Sequence, residues 1–317
     1  MDRNVVSDSL ALYQIKREKN LYKRIKDHTA LYILLIPAII FTFIFVYVPL
    51  PGIVAAFMDF DMLLQFKSPW VGLDNFKEIF TTPMFLEAII NTLKLSFLTL
   101  VIGFLAAVLF ALLINELRNG FFKGFVQTVS YLPYFLAWIA VIGIVQSIYS
   151  INGPVNDLIF LITGNEESKV MFLAQQSFFV PNALLLHLWK NVGWGSIIYL
   201  AAMSGIDQQL YEASHIDGAS RFRQIWHITL PGIKPTFVML LILSMGSLVS
   251  DNFELVYGLQ NPYINFEVIG TVVFQQGISQ GNYSLATAFG LSQGIVQFIL
   301  VLTANYTSKK INEIGIF

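Results

Sequence analysis

Lys190 and Asn191 sit in the middle of a long apolar run. A charge at that depth in a bilayer costs on the order of 2.5–3.5 kcal/mol and therefore normally meets water or a polar partner. Their ammonium and amide groups could donate hydrogen bonds to hydroxyls or to an acidic group in a solute pathway, or hold a neighbouring carbonyl in place. Asp251, Asn252 and Glu254 fall at the end of a later apolar run. There they could bind a proton or cation, accept hydroxyl hydrogen bonds at a pathway mouth, or simply solvate a helix end. Tyr131, Tyr134 and Trp138 are three and four residues apart, which predicts a stripe on one face of one helix. Trp138 is the better cavity candidate of the three, and Trp194 and Tyr199 repeat the theme more weakly. Tyr and Trp stack on the apolar faces of sugars while their polar atoms bond hydroxyls; they equally form interfacial belts.

A different chemistry belongs to Glu212–Pro235, EASHIDGASRFRQIWHITLPGIKP. Ile216, Ala219, Phe222 or Arg223, and Trp226 recur every three or four residues, giving one apolar and one charged face. Gly218 permits a bend between two short helices at little steric cost. Such a segment either lies on lipid or docks into another protein. A lipid-surface helix favours Lys and Arg over acids such as Glu212 and Asp217, so docking is the reading taken here. Ile216, Ala219 and Phe222 would seat in a groove, and Glu212 and Asp217 would pair with basic residues of the partner. Pro231 would lead into the next apolar run.

Covalent chemistry has little to work with. There is no Cys, which removes disulfides, thiolate metal sites and cysteine nucleophiles. His28, His187, His215 and His227 lack metal-ligand spacing. No G-x-x-x-x-G-K-[ST] phosphate loop occurs, so the chain is not expected to bind ATP itself. A non-enzymatic chain with no metal and no cofactor of its own is the expectation.

The elements that must position these residues are membrane helices. Of 317 residues, 56% are hydrophobic and 12% charged, against about 25% charged in soluble domains, and mean hydropathy is positive. Net charge is −1, so no basic field points to nucleic acid. A basic tail over 1–28 precedes apolar runs at about 31–51, 92–115, 125–149, 178–203, 236–258 and 285–307. Each is long enough to cross about 30 Å of hydrocarbon as a helix. The first is too long for a signal peptide and lacks a cleavage site. Six spans put both termini on one side. Arg and Lys concentrate in the tail and loops of that side, and only Lys67, Lys77 and Lys169 fall on the other, so the termini and the 212–235 loop are expected in the cytoplasm. A single domain, 29–317, follows the tail.

The order Glu212-Ala213-Ser214, Gly218, then Ile228-Thr229-Leu230-Pro231 resembles the EAA loop of ABC-importer permeases, with Ser214 where the family usually has Ala. SPWVGLDNF (68–76), QTVSYLPYF (127–135), LWKNVGWGSIIYLAAMSGID (188–207) and GNYSLATAFGL (281–291) are similar to one branch of them. That is the LplB/YtcP-type permeases linked to oligosaccharide and polysaccharide uptake. The resemblance implies an all-α, six-helix type I (MetI-like) fold and a place as one permease subunit in a bacterial cell membrane. It implies as partners a second, homologous permease, two cytoplasmic ATPases that use ATP and Mg, an external solute-binding protein and a carbohydrate substrate. Glu212, Ala213, Ile216, Asp217, Gly218, Ala219, Phe222 and Pro231 would form the ATPase-coupling site; Trp138, Lys190, Asn191, Trp194, Asp251 and Asn252 are the candidates for the substrate pathway. The rival reading is an ion-coupled secondary carrier with Asp251 or Lys190 as its coupling site. A membrane enzyme comes third.

Overall fold

The computed structural model describes residues 25–118, 120–249 and 253–312. Asp251, Asn252 and the basic tail before Ile25 lie outside the described residues. No strand occurs among the described residues; one isolated antiparallel bridge joins Met58 and Trp70. The chain divides into two compact units, the first ending at Val54 and the second beginning at Ala55.

The first unit contains helix α1, Thr29–Thr42, which continues through a π-helical turn, Phe43–Tyr47. The second unit begins on a short amphipathic helix, α2 (Asp74–Thr81), and a 33-residue helix, α3 (Pro83–Asn115). After these come α4 (Gly120–Tyr131), α5 (Trp138–Ile148), α6 (Pro154–Thr163) and the 29-residue α7 (Gln176–Ser204). The chain ends through α8 (Gln208–Ile216), α9 (Arg221–Gln224), α10 (Leu230–Met245), α11 (Phe253–Leu259), α12 (Ile269–Phe274) and α13 (Tyr283–Asn312).

Four described helices are long and apolar enough to cross a membrane, and α4 with α5 makes a fifth if that pair, bent by 102°, counts as one span. Six were expected. The shortfall is α7, which at about 1.5 Å per residue is long enough to cross. His187, Lys190 and Asn191 break its apolar run. The expected span at 236–258 is also displaced. The helical segment starts earlier, at Arg221, and runs to Leu248.

Packing between α3 and α7 forms the spine of the second unit. The buried residues of α7 are Phe179, Ala183, Leu186, Lys190, Gly193, Ser196, Tyr199 and Met203, one helical face at three- and four-residue steps. The buried face of α3 is similarly rich in small residues: Ala88, Thr92, Ser96, Thr99, Ala107 and Ala111. Lipid tails give no hydrophobic drive to helix pairing, so close backbone approach across small residues must do the work. Thr92 and Thr99 return their hydroxyl protons to the Ala88 and Leu95 carbonyls one turn back, which removes the cost of burying them. Thr92 Oγ1 also accepts from the Ile269 amide, pinning the start of α12 to α3.

Candidate functional site

The segment read as a docking loop folds as a helical hairpin. Asp207 caps α8 by accepting from the Gln209 amide, and Ser220 caps α9 by accepting from the Arg223 amide. Between them Gly218 takes φ +72°, the left-handed conformation that a side chain makes costly. Two cross-links close the hairpin. Gln224 donates to Ser214 Oγ at 2.9 Å, and the Tyr211 and Thr229 hydroxyls lie 2.9 Å apart. Ser214 is the departure from the usual Ala, and here its hydroxyl bridges the two arms.

The hairpin presents its apolar tips outward. Ile216 is 86% exposed and Phe222 74% exposed, with the Phe222 ring stacked on Trp226, itself exposed, at 6.4 Å. Ala219 is half-buried, while Glu212, Ala213, Asp217 and Gly218 are exposed. Pro231 lies at the start of α10, directly after the π-helical turn Ile225–Thr229 that absorbs its missing N–H within one continuous helical segment. Behind the tips lies a polar recess of about 530 Å³ lined in part by Glu116, Glu212, His215, Arg221 and Gln224. Arg221 approaches Glu116 at 3.7 Å, linking α9 to the end of α3. Trp226 was placed on the apolar face by its spacing but not among the docking residues. Its i+4 relation to Phe222 is the signal that could have added it.

A second constellation surrounds Lys190. Of the two readings open for it, a cavity donor or a holder of a neighbouring carbonyl, the geometry has the second: Lys190 is 7% exposed and its ammonium points at the break between α4 and α5. There the chain leaves the α-helix for a 3₁₀ turn, Leu132–Phe135, containing Pro133. The Pro133 carbonyl accepts from the Leu136 amide at 3.2 Å, which closes this turn. Lys190 Nζ donates to the Tyr134 carbonyl at 2.6 Å and approaches the Pro133 carbonyl at 3.5 Å. It also lies 5.4 Å from the ring centroids of both Tyr134 and Trp138. The Tyr134 ring stacks on Trp194 at 4.6 Å and 6°. Gly193 completes the joint: a Cβ there would stand 2.0 Å from the Ser130 carbonyl oxygen. The expected Tyr131–Tyr134–Trp138 stripe on one helix does not form, because the bend separates its members. Trp138 packs against the buried cluster that includes Leu95, Val141 and Phe179.

Asn191, the neighbour of Lys190, faces the other way. With Ser96, Thr99, His187, Tyr199, Ser244 and Ser247 it lines a cavity of about 360 Å³ between α3, α7 and α10. The sequence reading names Asn191, Tyr199 and His187 among these, and not the serines and Thr99. Ser96 with Thr99 and Ser244 with Ser247, three apart on apolar helices, are the pattern that could have found them. A sequence match of another kind proves empty: Gly290-Leu291-Ser292-Gln293-Gly294 satisfies G-x-S-x-G, the nucleophile-elbow pattern. Ser292 lies inside α13 and donates to the Ala288 carbonyl at 2.8 Å, so the strained strand-to-helix turn that pattern requires is not there.

Residues 99–308 match the family of binding-protein-dependent transport system inner membrane components. The chain is 42% identical over 291 residues to protein LplB of Bacillus subtilis (strain 168), covering 90% of this chain and 91% of the relative. It is 41% identical over 314 residues to the polygalacturonan/rhamnogalacturonan transport system permease protein YteP of the same organism, covering 98% and 97%. Among solved structures, it superposes on a bacterial ABC transporter involved in the import of the acidic polysaccharide alginate, with TM-score 0.83 and 38% identity over 92% of this chain and 99% of that one. The same comparison with the alginate transporter in complex with alginate pentasaccharide-bound periplasmic protein gives TM-score 0.82 and 37% identity over 93% and 99%. With two thirds of its length inside the family's match and relatives above 40% identity along nearly the whole chain, this protein belongs to the binding-protein-dependent transport system inner membrane components, the membrane-bound permease subunits of ABC importers.

Proposed function

We propose that this chain forms one half of the transmembrane pathway of an ATP-driven importer of an oligosaccharide or polysaccharide. An external solute-binding protein delivers the glycan, and a second, homologous permease completes the pathway. Two cytoplasmic ATPases supply the ATP and Mg chemistry, one docking on this chain's 212–235 hairpin; this chain is the non-catalytic subunit. Both termini lie in the cytoplasm, following the concentration of Lys and Arg on that side. The relatives named for polygalacturonan, rhamnogalacturonan and alginate support a glycan cargo.

The observation that carries this reading is the hairpin. A membrane helix can be driven by a soluble motor only through a contact that survives the stroke. Here the capped, cross-linked arms hold Ile216 and Phe222 outward as rigid apolar tips. The segment runs without a loop into α10, through the π-helical turn Ile225–Thr229, so displacement of the tips moves a cavity-lining helix. Closure of the ATPases would thereby rotate this half toward an outward-open state, which is alternating access. The secondary-carrier reading needs a titrating coupling site. Lys190, one of its two candidates, is engaged at the α4–α5 break.

Purification of the tagged chain in mild detergent from its native host, with mass spectrometry of what accompanies it, tests the assembly. A second six-span permease and an ABC ATPase are the expected companions. A chain that purifies alone and transports without ATP would overturn the proposal.

A further inference from the structure

With the termini in the cytoplasm, residues 149–175 join α5 to α7 on the external face. Helix α6, Pro154–Thr163, turns three large aliphatic side chains outward from this segment: Leu158 is 59% exposed, Leu161 75% and Ile162 84%. Three and four residues apart, they form one apolar stripe.

The helix beneath the stripe is firmly mounted. Asn156, on the opposite face, is fully buried. Its Nδ2 donates to the Ser150 and Val170 carbonyls, both at 2.9 Å, and its Oδ1 accepts from the Val170 amide at 2.7 Å. Gly153 passes so close to α5 that a Cβ there would stand 2.4 Å from the Ser147 carbonyl oxygen. Gly164, at φ +66°, ends the helix in the left-handed conformation. The Thr163 and Ser168 hydroxyls, 2.6 Å apart, close the turn that follows.

Charge decides what covers the stripe. Between residues 150 and 177 stand three carboxylates, Asp157, Glu166 and Glu167, and one ammonium, Lys169. Lys169 Nζ meets Glu166 at 2.8 Å and lies 5.6 Å from the Phe160 ring centroid, so it is already engaged. Helices that lie among lipid headgroups carry Lys and Arg on their polar face and are drawn to anionic lipid. This segment carries the opposite charge. A helix resting on lipid also needs no fixed mounting, whereas a protein contact gains from one because less ordering is left to do on binding. An apolar stripe beside carboxylates is the complement of an apolar hollow rimmed by Lys and Arg.

We propose that α6 is a docking knob for the external solute-binding protein, which meets it with an apolar hollow rimmed by basic residues. This rests on the importer reading above and adds the place and the sign of the contact. Leu161 and Ile162 seat in the hollow, and Glu167 steers the approach.

The test uses the complete complex from the native host, held in lipid nanodiscs, and the binding protein purified from the same host. Biolayer interferometry reads their association at about 50 mM and about 300 mM salt, on either side of the screening expected at physiological strength. The double variant Leu161→Gln with Ile162→Gln keeps a good helix former at both positions. It should raise Kd by about tenfold or more while the melting temperature of the complex stays the same. Association with the unaltered complex should slow as salt rises, and Glu167→Lys should slow it at low salt and flatten that dependence. An unchanged Kd in the double variant would overturn the inference and leave the importer reading standing. A binding protein that never engages the unaltered complex would overturn both. Ile162→Trp in nanodiscs containing brominated lipid separates the two coverings: its fluorescence should escape quenching and shift to the blue when the binding protein is added. Strong quenching by the brominated lipid would place α6 in the bilayer and refute the docking knob.

Discussion

Replacing Lys190 by Met keeps an unbranched stem of similar length and deletes the ammonium. In the native chain that ammonium bonds the Tyr134 carbonyl at 2.6 Å in a nearly solvent-free position. A hydrogen bond to a charged donor contributes about 1.5–3 kcal/mol, and the carbonyl left behind carries a desolvation cost of its own. Helical donors for the Tyr134 carbonyl would come from Ala137 or Trp138, at the 102° break, so no backbone donor can replace the lost one cheaply. The summed effect is about 3 kcal/mol, enough to lower the melting temperature by on the order of 5–10 °C. The assay is the temperature at which half of the detergent-solubilised chain remains monodisperse, measured beside membrane expression. Loss of thermal stability in Lys190→Met is the expected result. An unaltered melting temperature combined with lost uptake would refute this reasoning and return Lys190 to the substrate pathway.

Three further predictions come from the same joints. Gly193→Ala places a methyl 2.0 Å from the Ser130 carbonyl oxygen; forced separation of α4 and α7 should cost about 1–3 kcal/mol, read as a lower melting temperature. Gly218→Val imposes a β-branched residue at φ +72° and should cost about 1–2 kcal/mol at the hairpin. Membrane insertion should be normal while the amount of co-purifying ATPase falls, and full ATPase recovery would argue against the docking role. Asn156 is fully buried and bonds the Ser150 carbonyl and both the carbonyl and amide of Val170. Asn156→Ala should loosen the α6 segment by about 2–3 kcal/mol, seen as faster hydrogen exchange over residues 150–170.

What the sequence made legible was local. Gly218 and the three-to-four spacing of Ile216, Ala219 and Phe222 act within one hairpin, so the bend and its apolar face could be read directly. The long apolar runs identified most of the helices for the same reason. Partners distant in the chain were hidden. A charge in an apolar run reads equally as a cavity donor or as the holder of a carbonyl, and nothing near Lys190 indicates that the carbonyl it serves lies 56 residues earlier. Pro133 was the available sign that the run at 125–149 is two helices, yet uniform apolarity masked it. In α7 the polarity of His187, Lys190 and Asn191 serves buried joints and a cavity wall, so a helix of sufficient length fails the apolarity expected of a span. Asp251 and Asn252 were named as pathway residues and lie outside the described residues.

The central claim is that ATP, acting through partner subunits, drives glycan movement past this chain. Its most direct test is uptake by liposomes containing the purified complex, compared with ATP inside, without ATP, and with an imposed proton or sodium gradient. The account predicts uptake that requires ATP and the binding protein, ignores an uncoupler, and falls when Gly218→Val weakens ATPase docking. Uptake that persists without ATP and collapses with the uncoupler would contradict it.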